Sequence, residues 1–86
     1  MNNRKDVVLM DLKEILTNIA RAIVDTPDSV TVTETVDGDD VELVLSVAEG
    51  DTGMVIGRHG RIAKAIRQVM KAAANTCGKH VTVEIK

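Results

Sequence analysis

Gly57-Arg58-His59-Gly60 constrains this chain more than any other stretch. It stands between a short apolar run, Met54-Val55-Ile56, and a long helical pattern that starts at Arg61. A turn this tight usually needs a positive φ, which glycine adopts at little steric cost. With no Cβ at either end, another molecule's backbone can approach closely. The amides of the turn also open the helix that follows, where unsatisfied N–H groups and the macrodipole favour an anion. Arg58 and Arg61 bring positive charge to the same place. The spacing predicts a clamp for nucleic-acid phosphates. A G-x-x-G also serves simply to cap one helix and begin the next, so the surrounding chain must decide.

Charge is the first arbiter. The formal net charge is −2, with 13 acidic and 11 basic residues, but the two signs are segregated. All the acids lie at or before Asp51 except Glu84. From Thr52 to Val83 there is no acid, while Arg58, Arg61, Lys64, Arg67, Lys71, Lys79 and both histidines fall there. A solvated helix face usually carries both signs. A one-signed half points to a polyanionic partner.

None of the 86 residues is Phe, Trp or Tyr. The core is therefore built from Val, Ile, Leu, Met and Ala, and bases cannot be held by stacking on aromatic rings. The length fits a single domain over residues 1–86, burying about 60–65% of its unfolded surface. One cysteine, Cys77, excludes an internal disulfide and fits a reducing compartment. No signal peptide or membrane-spanning run is visible. The expectation is a soluble cytoplasmic protein.

Periodicity supplies the elements. Met1 to Lys5 is polar and expected to fray. Asp6 can cap a helix whose apolar positions (Val8, Leu9, Leu12, Ile15, Leu16, Ile19, Ala22, Ile23) share one side, with Asp11, Glu14, Asn18 and Arg21 opposite. Pro27 closes that segment. Val30 to Val36 alternates, with Val30, Val32 and Val36 on one face and Glu34 interrupting it. Asp37-Gly38-Asp39-Asp40 signals a turn. Val41, Leu43, Leu45 and Val47 then point one way along a second strand of an antiparallel hairpin.

Asp51 or Thr52 can cap a short helix running through Ile56. After the loop, Arg61 to Asn75 reads as a long helix with Ile66, Val69, Met70 and Ala73 inward. Arg61, Lys64, Arg67 and Lys71 gather within roughly a third of its circumference. Gly78 ends it, and His80 to Ile85 forms a last strand. The order is α-β-β-α-α-β, an α+β fold. A right-handed crossover would set the last strand parallel to the second, giving a three-stranded mixed sheet with helices on one face.

That order and the run Val55-Ile56-Gly57-Arg58-His59-Gly60 resemble a KH domain of the type II, bacterial arrangement. Ala63 stands where the general pattern has a larger apolar residue, and Ile62 comes one place early. This departure is similar to the small stand-alone bacterial KhpA family, which reads I-G-x-x-G-R-x-A-K-A-I-R, matched here from Ile56 to Arg67. The resemblance implies an RNA-binding protein of the cytoplasm that holds about four single-stranded nucleotides beside the loop. It further implies post-transcriptional control or RNA chaperoning that affects cell division and envelope growth. The expected partners are single-stranded RNA, a second copy, and a larger KH-containing protein of the KhpB, Jag or EloR kind.

The site residues assigned on this basis are Ile56, Gly57, Arg58, His59, Gly60, Arg61 and Lys64. The glycines admit the phosphodiester backbone, Arg58 contacts a phosphate, and His59 donates to one, more strongly when protonated. An exposed, uninvolved loop residue is the competing reading of His59, and a plain solvated surface that of Lys71 and Lys79. Ile62 has two readings, a core residue or an exposed subunit contact. No catalytic constellation, cofactor site, small-molecule substrate or metal site is indicated. Cys77 and His80 have ligand-like spacing without enough further ligands. A protein-interaction subunit of KH shape is the alternative function.

Overall fold

The computed structural model describes residues 11–86. The expectations of a frayed tail at 1–5 and a helix cap at Asp6 lie outside the described residues, as do Val8 and Leu9. Helix α1 (Leu12–Ile23) begins later than the apolar pattern implied. Asp11 is not on the helix but caps it: its backbone is extended (φ −95, ψ 98) and its carboxylate accepts from the Glu14 amide at 3.2 Å. Leu12, Leu16 and Ala20 are buried, while Ile15, Ile19 and Ile23 lie half-buried on the flank.

A 3-10 turn (Pro27–Ser29) leads into β1 (Thr31–Asp37) and β2 (Asp40–Ser46), joined through Gly38 and Asp39. They pair antiparallel, Val32 opposite Leu45 and Val36 opposite Val41. Strand β3 (His80–Ile85) adds parallel to β2, with Val83 beside Leu43, so the sheet order is β1-β2-β3. Between β2 and β3 come a 3-10 turn (Glu49–Asp51), helix α2 (Thr52–Ile56), the turn Arg58–Gly60 and helix α3 (Arg61–Thr76). The expected order and mixed sheet are observed.

One sheet face is buried by Val32, Val41, Leu43, Leu45 and Val83 against Leu16, Ala20, Val55, Ile66, Met70 and Ala74 of the helices. The other face presents Thr31, Thr33, Thr35, Glu42, Thr82 and Glu84 to solvent. Each fully buried Leu contributes about 2 kcal/mol from water exclusion, which matters in a core without aromatic rings.

Three apolar residues placed on inward faces are not buried, the small Ala22 on α1 and two larger ones. Val36 is 56% exposed and Val69 is 50% exposed. Val36 keeps the face of Val32, but it lies on an edge strand near the hairpin end, where no described helix covers it. On α3 the buried stripe is Ala63, Ile66, Met70 and Ala74, centred roughly 50° away from the apolar arc read along the chain. Val69 is left on the uncovered side of that arc, and Ala73 is only half-buried. Ala63 is buried, so its small size is what this position against the core requires.

The cap assigned to Asp51 or Thr52 is also absent. The Asp51 amide already bonds the Ala48 carbonyl in the preceding 3-10 turn, so that turn runs directly into α2. The Asp51 carboxylate, 5% exposed, instead accepts from the Thr26 amide at 2.9 Å. It pins the connection after α1 to the start of α2. Thr52 Oγ1 donates to the Glu49 carbonyl at 3.3 Å. The far end of α3 closes as a Schellman motif: Gly78 (φ +72) donates to Asn75 O and Lys79 to Ala74 O.

Candidate nucleic-acid interface

The interface is built around the turn between α2 and α3. Val55, fully buried, anchors the end of α2, and Ile56 next to it is exposed. Gly57 ends α2 by donating to Gly53 O at 2.8 Å, and Gly60 donates to Gly57 O at 3.1 Å. The Arg61 amide bonds Arg58 O. Among the described residues, the amides of Arg58 and His59 donate to no backbone acceptor outside the helices.

Three residues of the turn have positive φ: Gly57 at 76°, His59 at 58° and Gly60 at 72°. The two glycines do different work. A Cβ built on Gly57 would meet Ile62 Cγ1 at 2.6 Å and Ile62 Cβ at 2.9 Å. The space that was expected to admit a partner's backbone is thus filled by this chain's own isoleucine. A Cβ on Gly60 would meet nothing within 4 Å, so the open approach is at Gly60 alone. His59 adopts the left-handed conformation without being glycine, one of the residue types that enters it most readily. Its side chain is exposed beside that of Arg58.

Arg58, Arg61, Lys64 and Lys71 are exposed and meet no carboxylate among the described residues. The described ion pairs join Arg21 to Asp28 at 3.8 Å and Lys79 to Asp39 at 3.7 Å. The positive field along the turn and α3 is therefore not neutralised from within. Lys79 leaves the set, since its ammonium already faces a carboxylate. Arg67 differs as well: its Nε donates to the Val83 carbonyl at 3.1 Å, tying α3 to β3. None of the principal cavities among the described residues is lined by Arg58, His59 or Gly60. The turn sits on open surface, and the gap between α3 and β3 is bridged by the Arg67 side chain.

On the flank of α3 facing α1 lies an apolar hollow of about 450 Å³, lined by Ile19 and Ile23 of α1 with Ile62, Ala65, Ile66 and Val69 of α3 and bordered by Arg61. Ile62, 37% exposed, is neither a core residue nor free of the protein. It packs on Gly57 and forms one end of the hollow. Sequence reasoning missed both Arg67's bond and Asp51's burial. A base on a basic stripe and an acid before a helix look like ordinary surface groups until the elements they reach are in place. Among the described residues no three His, Cys, Asp or Glu gather as metal ligands would, and no helix is long and apolar enough to cross a membrane.

An α-β-β-α-α-β chain with a mixed three-stranded sheet, its two central helices joined by G-x-x-G, defines a type II KH domain. The family described as "KhpA/KhpB, KH domain" matches residues 13–85, and the chain belongs to it. The RNA-binding protein KhpA of Clostridium acetobutylicum is 51% identical over 74 residues, spanning 86% of this chain and 99% of the relative. Those of Treponema pallidum and Bacillus subtilis are 45% and 40% identical, each spanning 91% of the relative. These relatives are named for binding rather than for a reaction; the family is non-enzymatic.

Proposed function

We propose that this chain binds single-stranded RNA by holding its sugar-phosphate backbone against Gly57-Arg58-His59-Gly60, with Ile56, Arg61 and Lys64 extending the contact. The exposed basic stripe, which meets no carboxylate among the described residues and leads away from a turn open at Gly60, carries this reading. The name of the relatives, RNA-binding protein KhpA, supports it. Arg58 and His59 meet one phosphate, the open side of Gly60 lets the chain of sugars come near, and Arg61 and Lys64 follow the strand. Phosphate contacts read little sequence, so binding is salt-sensitive and broadly tolerant.

The same reading makes the chain a cytoplasmic post-transcriptional regulator or RNA chaperone, with effects on cell division and envelope growth. It functions as a homodimer and pairs with a larger KH protein of the KhpB, Jag or EloR kind. A second reading, a protein-interaction subunit, is favoured by one observation, the apolar hollow at Ile62 and Val69. Fluorescence titration with single-stranded RNA decides between them. The double variant R58D/H59D is expected to lose at least about tenfold in affinity with an unchanged circular-dichroism spectrum. Parent-like affinity in that variant sinks the clamp, and a parent that stays dimeric yet binds no RNA favours the second reading.

A further inference from the structure

Among the described residues strand β3 pairs only with β2 and so forms an edge of the sheet. His80 donates to Asp39 O and Lys86 to Leu45 O, so the even-numbered residues turn their peptide groups toward β2. By alternation, those of Val81, Val83 and Ile85 face the open edge. Arg67 reaches across from α3 and places its Nε–H on one of these, the Val83 carbonyl, at 3.1 Å. It stands seven residues past Gly60, about 10 Å along the helix axis. It shares its stripe with Arg61 and Lys64. A strand held by its phosphates at the turn and following this stripe would bring a base to this position.

The bond to Val83 matters for what Arg67 offers such a base. A guanidinium is a rigid plane with five N–H donors. Anchoring Nε fixes the plane and leaves the Nη1/Nη2 end, two parallel N–H bonds that match two neighbouring acceptors. No carboxylate takes that fork in the ion pairs of the described residues. Cytosine presents such acceptors as O2 and N3, and guanine as O6 and N7. In uracil and adenine the acceptors alternate with N–H donors, which would face the fork donor to donor.

We propose that Arg67, held by the Val83 carbonyl, is the base-selecting residue of this surface, favouring cytosine or guanine over uracil or adenine. The inference rests on the reading that RNA lies along the turn and α3. It adds a sequence preference to a clamp that reads none. The Val83 carbonyl acts as a positioning group, and the side chain that touches the base is Arg67.

Short oligocytidine and oligouridine RNAs of equal length, titrated by fluorescence anisotropy, test this directly because they share charge and backbone. The parent is expected to bind oligocytidine about tenfold more tightly, the discrimination of one bidentate contact. R67K keeps the charge but not the fork, and R67Q keeps neither. Both are expected to bring the ratio to within about twofold, with R67K losing little affinity for oligouridine. Thermal melts confirm that each variant folds. R58D/H59D, by contrast, loses both oligomers together. Equal affinity of the parent for the two RNAs, or a cytidine preference kept in R67K, overturns the assignment of Arg67. A parent that binds neither overturns the RNA reading itself.

Discussion

Gly57 and Gly60 are the same residue in the same turn, yet they are required for different reasons. Gly57 combines φ 76° and ψ 173°, a region essentially closed to other residues, with an Ile62 side chain packed where a Cβ would go. Gly60 has φ 72° and open space around it. Replacing Gly57 by Ala adds backbone strain to overpacking and is expected to destabilise by about 3–5 kcal/mol. Replacing Gly60 costs about 1–2 kcal/mol, the left-handed penalty alone. Urea unfolding of G57A and G60A measures the gap, and equal losses would remove the role given to Ile62. On the proposed clamp the ranking is expected to reverse for RNA affinity among folded molecules, because a methyl at Gly60 would stand in the approach path. The need for glycine at both positions was readable in the G-x-x-G. Which neighbour makes Gly57 indispensable was not, since Ile62 reaches it only once α3 has turned back over the end of α2.

Helix α3 carries three functions on three stripes. Ala63, Ile66, Met70 and Ala74 are buried on the sheet side. Arg61, Lys64, Arg67 and Lys71 run along one flank, and Ile62, Ala65 and Val69 along the other beside Ile19 and Ile23. Binary patterning sees only an apolar arc and a basic arc. The apolar arc is wider than the sheet can cover, and its uncovered part is the hollow assigned to a second copy. V69D places a charge there without touching the core or Gly57. Sedimentation is expected to show a monomer of unchanged melting temperature, whereas an unaltered dimer would move the subunit contact elsewhere. Because Ile62 touches both Gly57 and the hollow, the proposed dimer contact and the proposed RNA turn would share a side chain. The elements themselves were legible to within a residue or two, except the start of α1, where the amphipathic spacing gave no sign of the cap at Asp11.

Across the whole molecule, charge is divided as the sequence order divides it. The hairpin and the open sheet face collect acids and threonines, and the stretch from α2 onward collects bases, of which Lys79 alone is ion-paired among the described residues. A clamp made by Arg58, Arg61, Lys64 and His59 would meet about three to four phosphates. For single strands that gives a slope of about −2 to −3 in log affinity against log salt. Raising salt from about 50 to 200 mM should then weaken binding by roughly 20- to 50-fold. A flat salt response, read in the same anisotropy titration, would mean that phosphates are not what this surface holds.

Linear order alone determined the alternation of strands, the helical periods, the turn at Gly57-Arg58-His59-Gly60 and the acid-free half that surrounds it. Each is a property of neighbours along the chain. Only packing decided that Val36 and Val69 stay outside, that Asp51 is buried on the Thr26 amide, and that Arg67 spans to the sheet edge. Those outcomes depend on which distant element covers a side chain, and a covered group differs from an uncovered one only after the helices have closed over the sheet.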